Sequence, residues 1–299
     1  MFSTVQDLGR YGYGPLGVSP SGAADPIALR VGNLLVGNVE SAAALEMTLL
    51  GGSFLFPDGG VVALAGSDFG PSIDGAPVPM WTACELRPGQ TLRTGPTRSG
   101  ARCYLCVRGG ISVKLLLGSA STHILTGLGG FEGRPLKKND VLQIGGATVT
   151  QPRTIRPEVL AQIAPRKILR ATDGPQTDWF SPESVDRFYA GAYTVTEESN
   201  RMGLRLEGPA LETPHSGHMI SEGVSLGAIQ VPAGGKPIIL FVEQQTTGGY
   251  PKIANIISAD LPSVGQLRPR DEVRFEHVRP EAARAAIREQ ETLLRALFA

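Results

Sequence analysis

The chain has 299 residues, enough for two domains with full cores. Lys+Arg and Asp+Glu both total 28, so the formal net charge is zero and nothing points to nucleic acid or an anionic membrane as partner. No run approaches the roughly 20 apolar residues of a membrane helix, residues 1–7 lack the basic and apolar regions of a signal peptide, and three cysteines suit a reducing cytoplasm better than a disulfide framework.

Glycine (38) and proline (23) punctuate apolar runs without forming a tract, which favours many short strands over long helices. Residues 1–24 read as strand and loop. A helix starts at Asp25 or Pro26, since Asp suits an N-cap and Pro the first turn, and it ends at Gly37-Asn38. Ser41–Leu45 predicts a helical turn leading into a strand over Glu46–Leu50. Strands follow over Gly52–Phe56, Val61–Ala65, Gln90–Thr94, Ala101–Val107 and Val141–Ile144. Pro152–Pro165 has three prolines and no strand pattern, and it is taken as the boundary between residues 1–155 and 156–299. Beyond it, strands are expected over Lys167–Ala171, Tyr193–Thr196, Leu204–Glu207 and Glu272–His277. Asp178–Ala190 reads as a helix interrupted by Pro182, and Ser258 or Asp260 as the cap of a short helical turn. Glu281–Phe298 is the clearest helix, with apolar spacing at Ala286, Ile287, Leu293, Leu294 and Leu297, and is expected to pack across the second half or on a partner.

Three segments share one shape: Leu86–Arg93, Leu136–Gln143 and Leu267–Arg274. Each has a leucine, a basic turn, a polar residue and an alternating strand, as the lead-in to a barrel strand used three times. The fold class is therefore mainly β with minor α, in two related β-rich halves with a C-terminal helix.

Several motif matches lack the context that their chemistry needs. Gly12–Gly17 fits G-x-G-x-x-G, but a second loop follows where a dinucleotide site needs a helix. Gly223-Val224-Ser225-Leu226-Gly227 fits a nucleophile elbow, but the next residues read as a strand. Cys103 and Cys106 lie in an apparent strand, where an odd separation sends the two thiols to opposite faces, and no second pair completes a zinc site. His215 and His218 read as loop polarity. No metal site is expected.

The stretch richest in binding chemistry is Glu243–Lys252. It follows the apolar strand Pro237–Val242 and offers Gln245, Thr246, Thr247, Gly248, Gly249, Tyr250 and Lys252 at the end of a rigid element. Such a set suits a small, planar, amide-like ligand; the plainer alternative is a Gly-Gly hairpin with a polar tip. Asp68, directly after an apolar strand, is either a site carboxylate or an Asx-type turn. Asp7, beside Arg10, reads more readily as structural. Glu222 is a further candidate, and Arg201 either grips a carboxylate or clamps a loop.

Thr4–Arg10, Ser21–Asp25, Asn33–Asn38, Asn200–Pro209, Ser221–Gly223 and Gln245–Lys252, in that order, resemble the hallmarks of the biotin-dependent carboxyltransferase-like family, also called allophanate hydrolase subunit 2. That family includes the C-type subunit of 5-oxoprolinase, the bacterial antagonist of a sporulation-kinase inhibitor, and the carboxyltransferase region of urea carboxylase. The resemblance implies cyclophilin-like β-barrel modules, a cytoplasmic protein, and a hydrolase acting on a cyclic amide. The implied reaction is ATP-dependent opening of 5-oxoproline to glutamate, in a hetero-oligomer with a B-type 5-oxoprolinase subunit and with an A-type subunit as functional partner. For that reaction the residues themselves suggest Asp68 or Glu222 in proton transfer, Lys252 and Arg201 facing a carboxylate or phosphorylated intermediate, and residues 245–250 around the lactam, with Gln245, Thr246 and the Gly248-Gly249 amides on its carbonyl. Two alternatives accompany it: transfer of a carboxyl group from biotin to urea or a similar amide, and a non-catalytic regulator of a kinase-inhibitor-like partner. Members carry several more residues before the Thr-Val-Gln-Asp motif, so a truncated or mis-assigned start is expected here. The usual Asp-Arg-Met-Gly is Asn200-Arg201-Met202-Gly203, which leaves one carboxylate fewer.

Overall fold

A computed structural model of the chain describes residues 2–146, 155–213 and 219–297. They form two compact units: residues 1–10, 21–163 and 293–299 in the first, and 11–20 and 164–292 in the second. His215, His218 and Pro152 of the proposed boundary lie outside the described residues.

The first unit is built on an antiparallel five-stranded sheet in the order Phe2–Gln6, Ala44–Thr48, Arg102–Val107, Gly60–Gly66, Ala83–Leu86. Alternation of side chains assigns its two faces. Leu45, Met47, Val62, Leu64, Cys103 and Leu105 join a core with Phe56, Ile73 and Leu92 from a four-stranded sheet. Ala44, Ala63, Ala65, Tyr104 and Cys106 meet the helix Pro26–Leu35 through Ile27, Ala28, Leu29, Val31 and Leu35. Cys103 and Cys106 thus point to opposite faces, both buried and free, and burial pushes both thiols up. Asp25 caps the helix by accepting from the Ala28 N–H at 3.0 Å. The helix start is pinned further by buried Glu46, which accepts from the Ala24 N–H and the Tyr104 hydroxyl.

Asp7 is structural. Its carboxylate accepts from the Gly9 N–H, the Ala120 N–H and the hydroxyls of Ser119 and Ser121. The expected helical turn over Ser41–Leu45 does not form. Ala44 and Leu45 belong to the strand, because pairing with Gln6 and Val5 satisfies their backbone and buries both side chains.

The second unit is a closed seven-stranded barrel in the order Ile168–Asp173, Lys252–Ile256, Ala228–Gln230, Ile238–Leu240, Gly203–Glu207, Ala192–Val195, Glu272–His277. Its closing pair, Ile168–Asp173 with Glu272–His277, is parallel and the others are antiparallel. Pro182 does not interrupt a helix; it starts one. Thr177–Trp179 is a separate 3-10 turn, and the helix Pro182–Ala190 is capped by Ser181. That follows from a proline's missing N–H, which costs nothing in the first turn. Phe188 of this helix stacks on Phe275 with ring centroids 4.5 Å apart. The C-terminal helix Pro280–Ala296 packs Ala283, Ala286 and Ile287 on Ile257 and Ala259. Its last turn belongs to the first unit, where Leu293, Leu294 and Leu297 join the core around Ile27.

The three repeated lead-in turns share their geometry as well as their sequence. The backbone N–H of Arg87, Lys137 and Arg268 donates to a side-chain oxygen of Gln90, Asp140 and Asp271, respectively. The residue before that acceptor is left-handed in all three, with φ +82° at Gly89, +72° at Asn139 and +72° at Arg270. This is the type II arrangement, which needs positive φ at the third position.

Candidate functional site

The end of the strand Ile238–Leu240 delivers the stretch singled out in the sequence. Past Leu240 the backbone stays beside residues 201–202: the Phe241 N–H donates to the Met202 carbonyl and the Glu243 N–H to the Arg201 carbonyl, both at 2.9 Å. Here Arg201 Nε meets Glu243 Oε1 at 2.5 Å, with 5 % and 2 % of the two side chains exposed. Arg201 therefore works as a clamp under the stretch. Asn200 closes the adjoining turn through Oδ1, which accepts from the Met202 N–H at 2.8 Å. An Asn supplies that oxygen as well as the Asp usual in the family resemblance. Gln244 turns inward, donating to the Ser225 carbonyl and accepting from the Leu226 N–H.

Residues 246–249 then lie antiparallel to 219–224. Glu222 pairs with Gly248 and Gly223 with Thr247, while Val224 N–H donates to Thr246 O and Met219 N–H to Gly249 O. The Gly-Gly hairpin is excluded, because neither glycine has positive φ. At Gly248 a Cβ would stand 2.5 Å from Gln230 Nε2, so any larger residue would displace the end of that side chain. Gln230 is buried, and its Oε1 accepts from Gln245 Nε2 at 3.3 Å. A β-bulge between Ile229 and Gln230 sets Gln230 opposite Lys252, and bulges of this kind re-aim side chains beside functional sites.

Lys252 opens the strand Lys252–Ile256 and is 2 % exposed, yet its ammonium lies 2.7 Å from Glu222 Oε1, whose side chain is 43 % exposed. Gln176 completes the group. Its Oε1 accepts from the Lys252 N–H at 3.1 Å and its Nε2 donates to Glu222 Oε1 at 2.9 Å. The Lys252 ammonium, and then the Gln176 amide, hold the Glu222 carboxyl below the usual range. Such a site presents a buried cation and a reachable carboxylate beside a carboxamide. It can bind an anionic or strongly polarised oxygen and exchange a proton with it.

The structure thus brings together Glu222, Lys252, Gln245, Gly248 and Gly249, with Thr246 half-buried, Thr247 exposed and Tyr250 half-buried in the same run. Asp68 belongs to the first unit. There it accepts from the Gly70 N–H at 2.7 Å, pairs with Arg98 at 3.1 Å, and borders a cavity of about 280 Å³ walled by Pro71, Pro77, Val78 and Met80. Gln176 and Gln230 have no counterpart in the sequence reading. Both lie far along the chain from the residues they touch, and neither sits in a recognisable motif. The elbow-like Ser225 leads into the strand Ala228–Gln230, and its hydroxyl bonds to Asn255. Among the described residues no cluster of His, Cys, Asp or Glu could hold a metal ion, and no helix is long and apolar enough to cross a membrane.

Residues 16–277 match the family described as "Carboxyltransferase domain, subdomain A and B". The chain is 39 % identical over 293 residues to the C-type subunit of 5-oxoprolinase from Escherichia coli strain K12, covering 97 % of this chain and 93 % of the relative. It is 36 % identical over 293 residues to the corresponding 5-oxoprolinase subunit of Haemophilus influenzae, covering 98 % and 93 %. The solved structure of K. lactis urea amidolyase superposes with a TM-score of 0.94 at 32 % identity over 99 % of this chain. The chain spans about a fifth of that larger protein, 19 % of its length.

Proposed function

Since the chain belongs to the carboxyltransferase domain family, subdomains A and B, we propose that it is the C-type component of a 5-oxoprolinase complex, acting with A- and B-type subunits in the cytoplasm to open 5-oxoproline to glutamate at the expense of ATP. The observation that carries this reading is the buried Lys252 held on Glu222, with Gln245 bonded to Gln230, the residue paired with Lys252. It is supported by near full-length similarity to two proteins named as that component.

5-Oxoproline joins a planar amide to a carboxylate. The Gln245 carboxamide and the Gly248–Gly249 backbone match the amide plane. Lys252 matches its negative charge, whether on the carboxylate or on the lactam oxygen as the ring opens. Glu222, held as a carboxylate on the same ammonium, takes a proton from the attacking water and passes it to the departing lactam nitrogen. Arg201 holds the floor of the site through Glu243. The sequence has no G-x-x-x-x-G-K-[ST] loop, so nucleotide use needs another binding mode or another subunit. ATP is used by the complex as a whole, and Asp68 is a second proton-transfer candidate in its own cavity.

The test is glutamate formation and ATP hydrolysis with this chain and purified A- and B-type partners, each omitted in turn. Lys252→Ala in the complete complex is expected to lower turnover at least about 100-fold while the complex still assembles. Undiminished turnover overturns the assignment. A second reading, carboxyl transfer from biotin to urea or a similar amide, is favoured by the close superposition on urea amidolyase. It predicts urea-dependent decarboxylation of carboxybiotin by this chain.

A further inference from the structure

The turn Gly174–Thr177 lies against the strand that begins at Lys252. The Gly174 N–H donates to the Ile253 carbonyl at 3.2 Å, the Gln176 N–H to the Lys252 carbonyl at 3.3 Å, and Thr177 Oγ1 to the Ile253 carbonyl at 2.5 Å. The approach is close enough that a Cβ on Gly174 would collide with the Lys252 carbonyl oxygen. Three bonds already fasten the turn, so the Gln176 carboxamide is not needed to hold it. That carboxamide is nonetheless buried and spent at both ends, on the Lys252 N–H and on Glu222 Oε1. The same Oε1 receives the Lys252 ammonium at 2.7 Å. Glu222 sits on a two-residue strand with an exposed side chain, the kind of position from which a carboxylate swings freely.

We infer that Gln176 is a positioning residue that locks Glu222 onto Lys252, fixing the geometry of the proton-handling pair in the proposed site. It acts through Glu222 and does not touch the lactam. Its amide N–H favours the charged form of Glu222, and its Oε1 fixes the backbone from which Lys252 projects. Among the described residues the charged group acting on Glu222 is Lys252, and its other hydrogen-bond partner, Gln176, is neutral. The inference rests on the reading of Lys252 and Glu222 as working groups, so its test includes a measurement that does not depend on turnover.

The full-length chain carrying ¹³C-labelled glutamate is titrated by NMR, with the Glu222 signal assigned by Glu222→Gln. Gln176→Leu is expected to raise the Glu222 midpoint by about half a unit to one unit. If the leucine variant does not fold, Gln176→Met, unbranched and of similar length, takes its place. In the reconstituted complex the same variant is expected to lower kcat about tenfold or more with KM within about twofold, and to move the acid limb of the pH profile upward. A Glu222 midpoint that stays at the wild-type value overturns the inference, as does an unchanged kcat with an unmoved acid limb. A shifted midpoint in a complex that tolerates Lys252→Ala supports the positioning role and refutes the proposed function.

Discussion

Two buried cations in the second unit, each paired with a glutamate, divide on one measurable difference. Arg201 and its partner Glu243 are both sealed, at 5 % and 2 % exposure, whereas Lys252 is sealed but its partner Glu222 is 43 % exposed. A ligand can compete for an ammonium whose counter-ion faces solvent. It cannot compete for a guanidinium enclosed with its own. Removing one member of a buried pair leaves an uncompensated charge, so Arg201→Ala is expected to destabilise the chain by about 3–5 kcal/mol. The double variant Arg201→Met/Glu243→Leu should recover most of that loss in urea unfolding. A single variant of wild-type stability with weakened 5-oxoproline binding would instead put Arg201 on the ligand. The residue types at 201 and 252 are visible in the sequence; which of them keeps an accessible partner is not.

At the scale of elements, the three lead-in turns are the clearest case of sequence pattern becoming backbone geometry. All need positive φ at one position, and they fill it with Gly89, Asn139 and Arg270. Glycine has no steric cost there, asparagine a small one, and arginine the largest. Arg270 is offset only by an exposed pair with Glu197 at 3.0 Å, which contributes little. Arg270→Gly is therefore expected to raise stability by up to about 1 kcal/mol, and Asn139→Gly by less. Thermal unfolding of both variants checks the order, and a loss at Arg270 would show that its ion pair outweighs the backbone strain. The same scale explains the two misplaced helix signals. Ser41–Leu45 has helical propensity, but sheet pairing with Phe2–Gln6 prevails. Pro182 falls where a helix can start, so it divides one expected helix into a turn and a helix.

Across the whole molecule, each unit holds a carboxylate set below its ordinary value. In the first, Asp140 is lowered from 3.8 to about 2 by the Arg134 guanidinium and the Lys137 N–H. In the second, Glu222 is lowered from 4.5 by Lys252 and Gln176. A depressed carboxylate contributes stability that is complete above its unfolded pKa and lost as pH falls through its folded value. Both units are thus expected to hold constant stability above about pH 5 and to lose it on acidification, the Asp140 share disappearing near pH 2. Asp140→Asn should remove that last acid-side step, which a thermal melt series from neutral to pH 2 would display. The β-rich class, the repeated turns, the opposite faces of Cys103 and Cys106, the polar stretch at 245–252 and the family are all legible in the chain, because each is written in local spacing or in long ordered motifs. The ladder pairing of Gly248 with Glu222 in place of a turn, the enclosure of Arg201, and the reach of Gln176 and Gln230 to the site come from the folded chain alone. Contacts of that kind join residues 46 positions apart, as Gln176 and Glu222 are. They depend on barrel closure and strand register, which no local pattern encodes.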